Sequence, residues 1–144
     1  MKLKEAFERL DNEAFNINYN FNSQYWELVI FTQNYDIKAE YKGKFLADVL
    51  KEHFKEKIDF KSSLEAYYQD GYRNLSLNYD NTDYSDNFLT LSLNDRYEEE
   101  HQRTLIIKNI EDLTSKLENL DSLFIDYEIQ LTQTFKEARQ YAYR

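Results

Sequence analysis

Two short stretches gather the side chains in this sequence that are equipped for chemistry. Asp80-Asn81-Thr82-Asp83-Tyr84-Ser85-Asp86 has the oxygen density of a calcium loop, and Glu98-Glu99-Glu100-His101 contains one Glu-x-x-His spacing. An EF-hand needs a glycine at its sixth position and a bidentate glutamate at its twelfth, and no register of the first stretch supplies both. Asp, Asn and Ser in such density favour a hairpin turn, with a looser calcium or magnesium contact as the alternative. The Glu-x-x-His unit builds a di-iron site only where a second copy and two further glutamates converge on long helices, and the sequence offers no such set. This run reads as a solvated face, and neither metal nor cofactor is expected.

Nucleophilic chemistry is as thinly supplied. The chain has no cysteine, its only imidazoles are His53 and His101, and its only glycines are Gly43 and Gly71. Thiol catalysis, zinc ribbons, P-loops and dinucleotide fingerprints are therefore excluded. Only Ser/His/Asp arrangements remain, and no serine lies in a nucleophile-elbow context. His53 falls on the apolar stripe of a helix, as Glu52-His53-Phe54-Lys55, which suits an imidazole packed at the edge of a core. The chain is read as non-catalytic; a carboxylate-based enzyme site is the minority alternative.

Charge says more. The net charge is −9 over 144 residues, and residues 80–128 hold thirteen acidic groups against Arg96, Arg103, Lys108 and Lys116. Such a stretch opposes direct nucleic-acid binding, which relies on cations that displace counterions from phosphate. It favours a partner with a basic groove and speeds the encounter. Tyrosines among the carboxylates add contact area at low entropic cost. The candidate interface is therefore Asp80, Asp83, Tyr84, Asp86, Asp95, Tyr97, Glu98, Glu99 and Glu100, and the expected partner is a basic protein or a nuclease complex. Plain solubility is the competing explanation of the acidity.

The elements that position these residues follow from periodicity. Leu3, Phe7, Leu10 and Ala14 predict a short helix over 2–13. Phe15, Ile17, Tyr19 and Phe21 alternate with asparagines as a strand, and further strands are predicted over Tyr25–Thr32 and Tyr35–Tyr41. A helix follows with Phe45, Leu46, Val49, Leu50, His53 and Phe54 as its stripe, then a second from Ser62, where Ser62-Ser63-Leu64-Glu65 matches a capping box. Strands are predicted around Leu75–Tyr79, Leu89–Leu93 and Thr104–Lys108, and a helix capped by Asn109 carries Ile110, Leu113, Leu117 and Leu120. Residues 124–131 fit an alternating strand or a continuation of that helix. Thr134–Tyr143 fits a terminal helix or a closing strand.

Internal similarity bears on the ambiguity at 124–131. A shift of 60 aligns Phe15, Ile17, Asn18 and Tyr19 with Leu75, Leu77, Asn78 and Tyr79. A shift of 110 aligns Phe15, Ile17, Tyr19 and Phe21 with Ile125, Tyr127, Ile129 and Leu131. Three helix-then-strand units starting near 2, 62 and 112 would share one core, which tips 124–131 toward strand. Unequal offsets argue against a solenoid. The expected architecture is one α+β domain spanning 1–144: an antiparallel sheet with helices packed on one face.

In size, acidity, abundance of Asn, Lys, Tyr and Ile, and lack of active-site motifs, with Tyr79–Asp86 and Asp95–Glu100 as the acidic–aromatic stretches, the chain resembles the small anti-defence proteins of phages and mobile elements, such as anti-CRISPR proteins and nucleic-acid mimics. The resemblance implies a stoichiometric inhibitor in a host cytoplasm, whose carboxylates stand in for phosphates in the groove of a nuclease. An immunity protein that neutralises a toxin nuclease and a phage structural protein are the alternatives. Charged residues from the second position onward, and no apolar run of membrane-spanning length, argue for a cytoplasmic protein without a membrane partner.

Overall fold

The computed structural model describes residues 1–20, 22–60, 73–94 and 99–142, with side chains to residue 133. Helix α1 (Leu3–Leu10) buries Leu3, Ala6, Phe7 and Leu10 along one stripe. It stops short of the predicted residue 13 because the N–H groups of Asn12 and Glu13 turn back onto the carbonyls of Arg9 and Leu10, which frees the chain to enter a strand. Strands β1 (Ala14–Asn20), β2 (Tyr25–Phe31) and β3 (Ile37–Gly43) follow, then α2 (Leu46–Phe54). The second half contains β4 (Arg73–Asp80), β5 (Phe88–Asn94), β6 (Glu100–Ile106), α3 (Ile110–Glu118) and α4 (Leu120–Ala142). The helix predicted from Ser62 lies outside the described residues.

The six described strands form one antiparallel sheet in the order β3-β2-β1-β4-β5-β6. Two three-stranded meanders thus meet back to back through β1 and β4. The 60-residue shift lays β1 on β4, and Asn18 pairs with Asn78 within that junction. On one face Phe15, Ile17, Tyr19, Trp26, Leu28, Ile30, Leu75, Leu77, Tyr79, Leu89, Leu91 and Leu93 are buried. The buried residues of helices α1 to α4 join them in a single core. The fold is therefore the expected α+β arrangement. The opposite face is polar at its centre, where Asn16 donates to Asn78 Oδ1 (3.0 Å) and to the Tyr79 carbonyl (3.3 Å), and Asn18 donates to Asn16 Oδ1 (3.1 Å).

Gly43 lies opposite Trp26 in the β2–β3 ladder. A Cβ there would stand 3.1 Å from Val49 Cγ2, so the absent side chain lets α2 come close to the sheet. Trp26 is buried, and its indole N–H has no hydrogen-bond partner among the described residues.

The strand predicted from Tyr35 starts at Ile37, since Tyr35 lies in the preceding turn at positive φ, and a larger prediction fails outright. Residues 124–131 are helical, so the third helix-then-strand unit does not exist. Leu120, Phe124 and Tyr127 are buried with Leu131 beside them, which is helical spacing; a strand would have had to bury Ile125 and Ile129, which are 53% and 56% exposed. No glycine or proline follows Asn109 to release the chain from helix. After Asn119 the helix resumes at once, Leu123 N–H donating to the Asn119 carbonyl. The stretch after residue 134 continues as helix to Ala142. Strand β6 also begins four residues before the predicted Thr104. No helix among the described residues is long and apolar enough to cross a membrane.

Candidate functional site

The β4–β5 connection is where the first acidic stretch lies, and its polar side chains fix its shape. The Asp80 carboxylate accepts from the N–H and hydroxyl of Thr82, and Asp83 Oδ1 accepts from the N–H (3.0 Å) and hydroxyl (2.6 Å) of Ser85. These are local turns of the kind Asp and Ser make, and they lead into a single 3₁₀ turn at Tyr84–Asp86. Asn87, 4% exposed, closes the base like a strand residue: its Oδ1 accepts from Asp80 N–H (2.9 Å) and its Nδ2 donates to the Asp80 carbonyl (3.1 Å). Asn81 extends the β1–β4 ladder by one rung, its side chain accepting from Phe15 N–H (2.9 Å) and donating to the Glu13 carbonyl (2.6 Å).

What this framework leaves exposed is Tyr84, 60% accessible, with Asp83 and Asp86 on either side. Asp11 joins the same end of the molecule, since Asn81 Nδ2 also reaches its carboxylate at 3.5 Å. The Tyr79 hydroxyl is pushed well above its ordinary value by burial, then by the nearby Asp11 and Tyr84. Hydrogen bonds from the Ser85 side chain and backbone hold the Asp83 carboxyl below the usual carboxylate range. Ile107 N–H donates to the Asn87 carbonyl, which brings the start of α3 to this pole. There Asn109 caps α3 by accepting from Asp112 N–H (2.8 Å), as predicted from sequence. Asp112 is paired with Lys116 and accepts from Lys108 N–H, and Glu111 is exposed.

The second acidic stretch is elsewhere. Glu99 and Glu100 stand at the far end of β5, about 20 Å from Asp86 along seven extended residues. Glu100 accepts from Ser92 Oγ (2.7 Å) and Gln102 Nε2 (2.8 Å), and these bonds hold its carboxyl below the usual range. Asp95, Tyr97 and Glu98 lie outside the described residues. The structure therefore brings Asp80, Asp83, Tyr84 and Asp86 together and sets Glu99 and Glu100 apart from them.

Sequence reasoning missed a hydrogen-bonded chain around His53. Its Nδ1 is 3.2 Å from the Tyr41 hydroxyl, its Nε2 is 3.5 Å from Glu13 Oε2, and Glu13 Oε1 is 3.1 Å from Lys38 Nζ. The ring packs edge-on to Tyr41 and Phe54 at the margin of the core. These partners come from separate parts of the chain, so no local spacing announces them. Among the described residues no three His, Asp or Glu side chains converge in a way that would hold a metal ion. A scan against protein-family models, a search of curated proteins and a search of solved structures each gave no significant match to this chain.

Proposed function

We propose that the protein is a non-catalytic binding protein whose acidic pole, Asp11, Asp80, Asp83, Tyr84 and Asp86, occupies a basic surface on a partner protein. The observation that carries this reading is the hydrogen-bonded β4–β5 connection, which presents the exposed Tyr84 among carboxylates. A loop fixed before binding loses little conformational entropy on binding. Tyrosine at the centre of an interface is a common source of binding energy, and flanking carboxylates steer a basic partner toward it. The partner class we assign is a nuclease of a host defence system, with carboxylates in place of phosphates in its nucleic-acid groove. This is the mode of action implied by the chain's resemblance to small anti-defence proteins.

The test is DNA cleavage by a guide-RNA nuclease complex purified from a candidate host. Wild-type protein should suppress cleavage at equal stoichiometry. Tyr84→Ala should weaken binding by about 2 kcal/mol, and Asp86→Lys should slow association in a salt-dependent way. Glu99→Lys should leave inhibition intact. Absence of inhibition, or inhibition that survives both changes at the acidic pole, refutes the reading.

A further inference from the structure

Between α4 and the inner face of β5 and β6 lies a groove of about 300 Å³ lined by Leu91, Leu105, Leu123 and Ile129, with Arg103, Asp126 and Gln130 among its walls. We propose that this groove, together with the open edge of β6, docks an extended peptide strand that carries one carboxylate between apolar side chains. The site is independent of the acidic pole.

Three observations carry the proposal. First, β6 ends the sheet and pairs only with β5 among the described residues. An edge strand offers unpaired N–H and C=O groups to an added strand. Second, apolar groups flank that edge on both faces: Ile106, 71% exposed, on the open face, and Ile129, 56% exposed, on α4. An added strand places successive side chains on alternate faces, so it would cover both. Third, Arg103 donates to Gln130 Oε1 at 3.0 Å, and no carboxylate lies within ion-pair distance of it among the described residues. A guanidinium with donors to spare beside an apolar wall selects a carboxylate in bidentate geometry. Asp126 on the same wall would repel a second acidic group, which limits the peptide to one.

Charge also chooses among occupants. Antiparallel pairing of β6 with a second copy of itself about its midpoint would set Arg103 opposite Arg103, and like charges directly opposite are destabilising. An amphiphilic small molecule would satisfy the groove and leave the strand edge unpaired.

The experiment uses the full chain, isotope-labelled for amide NMR, and the capped peptide Thr-Val-Thr-Glu-Thr-Val-Thr. The expected result is saturable binding with slowed hydrogen exchange at alternate amides of β6. Arg103→Glu should weaken that peptide about tenfold or more. The same variant should bind the peptide with Lys in place of Glu better than wild type does. The charge exchange separates recognition from any loss of fold. No shift at β6 with millimolar peptide overturns the proposal. So does saturable binding of dodecanoate in the groove with none of the peptide, or a concentration-dependent dimer that Arg103→Glu abolishes.

Discussion

The sheet ends in β3 on one side and β6 on the other, and the two edges are built differently. β3 presents Glu40, Lys42 and the exposed Ile37 on the open face, has α2 against its other face, and is tied to the α1–β1 link through Lys38 and the Tyr41–His53–Glu13 chain. The neighbouring ladder is also irregular at Ile30/Phe31. Alternating charge, a covering helix and an irregular ladder are all ways of discouraging strand addition. β6 has Glu100, Gln102, Thr104 and the exposed Ile106 on its open face, and a groove rather than a packed helix on the other. The hairpins differ in the same direction. The β1–β2 turn is short and its side-chain bonds stay within the turn, at Asn20, Asn22 and Ser23, whereas the β4–β5 connection is longer and Asn87 ties its two ends together. The two meanders share a strand order, but both candidate surfaces are built on the second, with Asp11 joining one and α4 the other.

The largest effect that would break this comparison concerns α4. Phe124→Ala should cost about 3–5 kcal/mol, and Ile129→Ala should stay within about 0.5 kcal/mol, both by urea unfolding. Equal costs would mean that α4 does not present the faces described, and the open side of the sheet would go with it. Next comes Asn87→Ala, which leaves the Asp80 N–H without a partner and its carbonyl with only the Asp83 N–H, and should cost about 1–3 kcal/mol. Hydrogen exchange at Asp80 should speed up in parallel. Ser23→Ala, in the exposed β1–β2 turn, should change stability by no more than about 0.5 kcal/mol.

The smallest effect is one of pH. Partial burial alone would raise the Asp112 carboxyl, but Lys116 and the Lys108 N–H outweigh it and the net direction is down. A carboxylate depressed in the folded state adds stability above its unfolded value, and that contribution is lost as pH falls through the folded one. The loss should fall below about pH 4. Asp112→Asn should flatten this acid limb in urea midpoints measured against pH; an unchanged limb would show that the Lys116 pair adds nothing.

Strands β1, β4 and β5 were legible because each buries one face, which writes a period of two into the sequence. The cap at Asn109 was legible for an equally local reason. The fate of 124–131 was not, because Tyr127 and Leu131 serve both periods and only packing on the core decides between them. The early residues of β6 escaped notice because an edge strand faces solvent and shows little alternation. Within the acidic pole, Tyr84 and Asp86 could be named from composition. Asp80 and Asp83 read as interface carboxylates, but composition did not show that one oxygen of each, Oδ1, is engaged by Thr82 or Ser85 and fixes the loop. Asp11 is seventy residues from Asn81, and Arg103 read only as one of four cations in an acidic stretch.

Trp26 has a practical consequence. It is the only tryptophan in the chain, 1% exposed, and its N–H meets no acceptor among the described residues. An indole so placed emits toward the blue and shifts red on contact with solvent, so the chain carries its own optical reporter. Because β2 lies four strands from β6, that signal should follow global unfolding and stay silent when a ligand settles at the far edge. Folding and docking can then be read separately in one unlabelled sample.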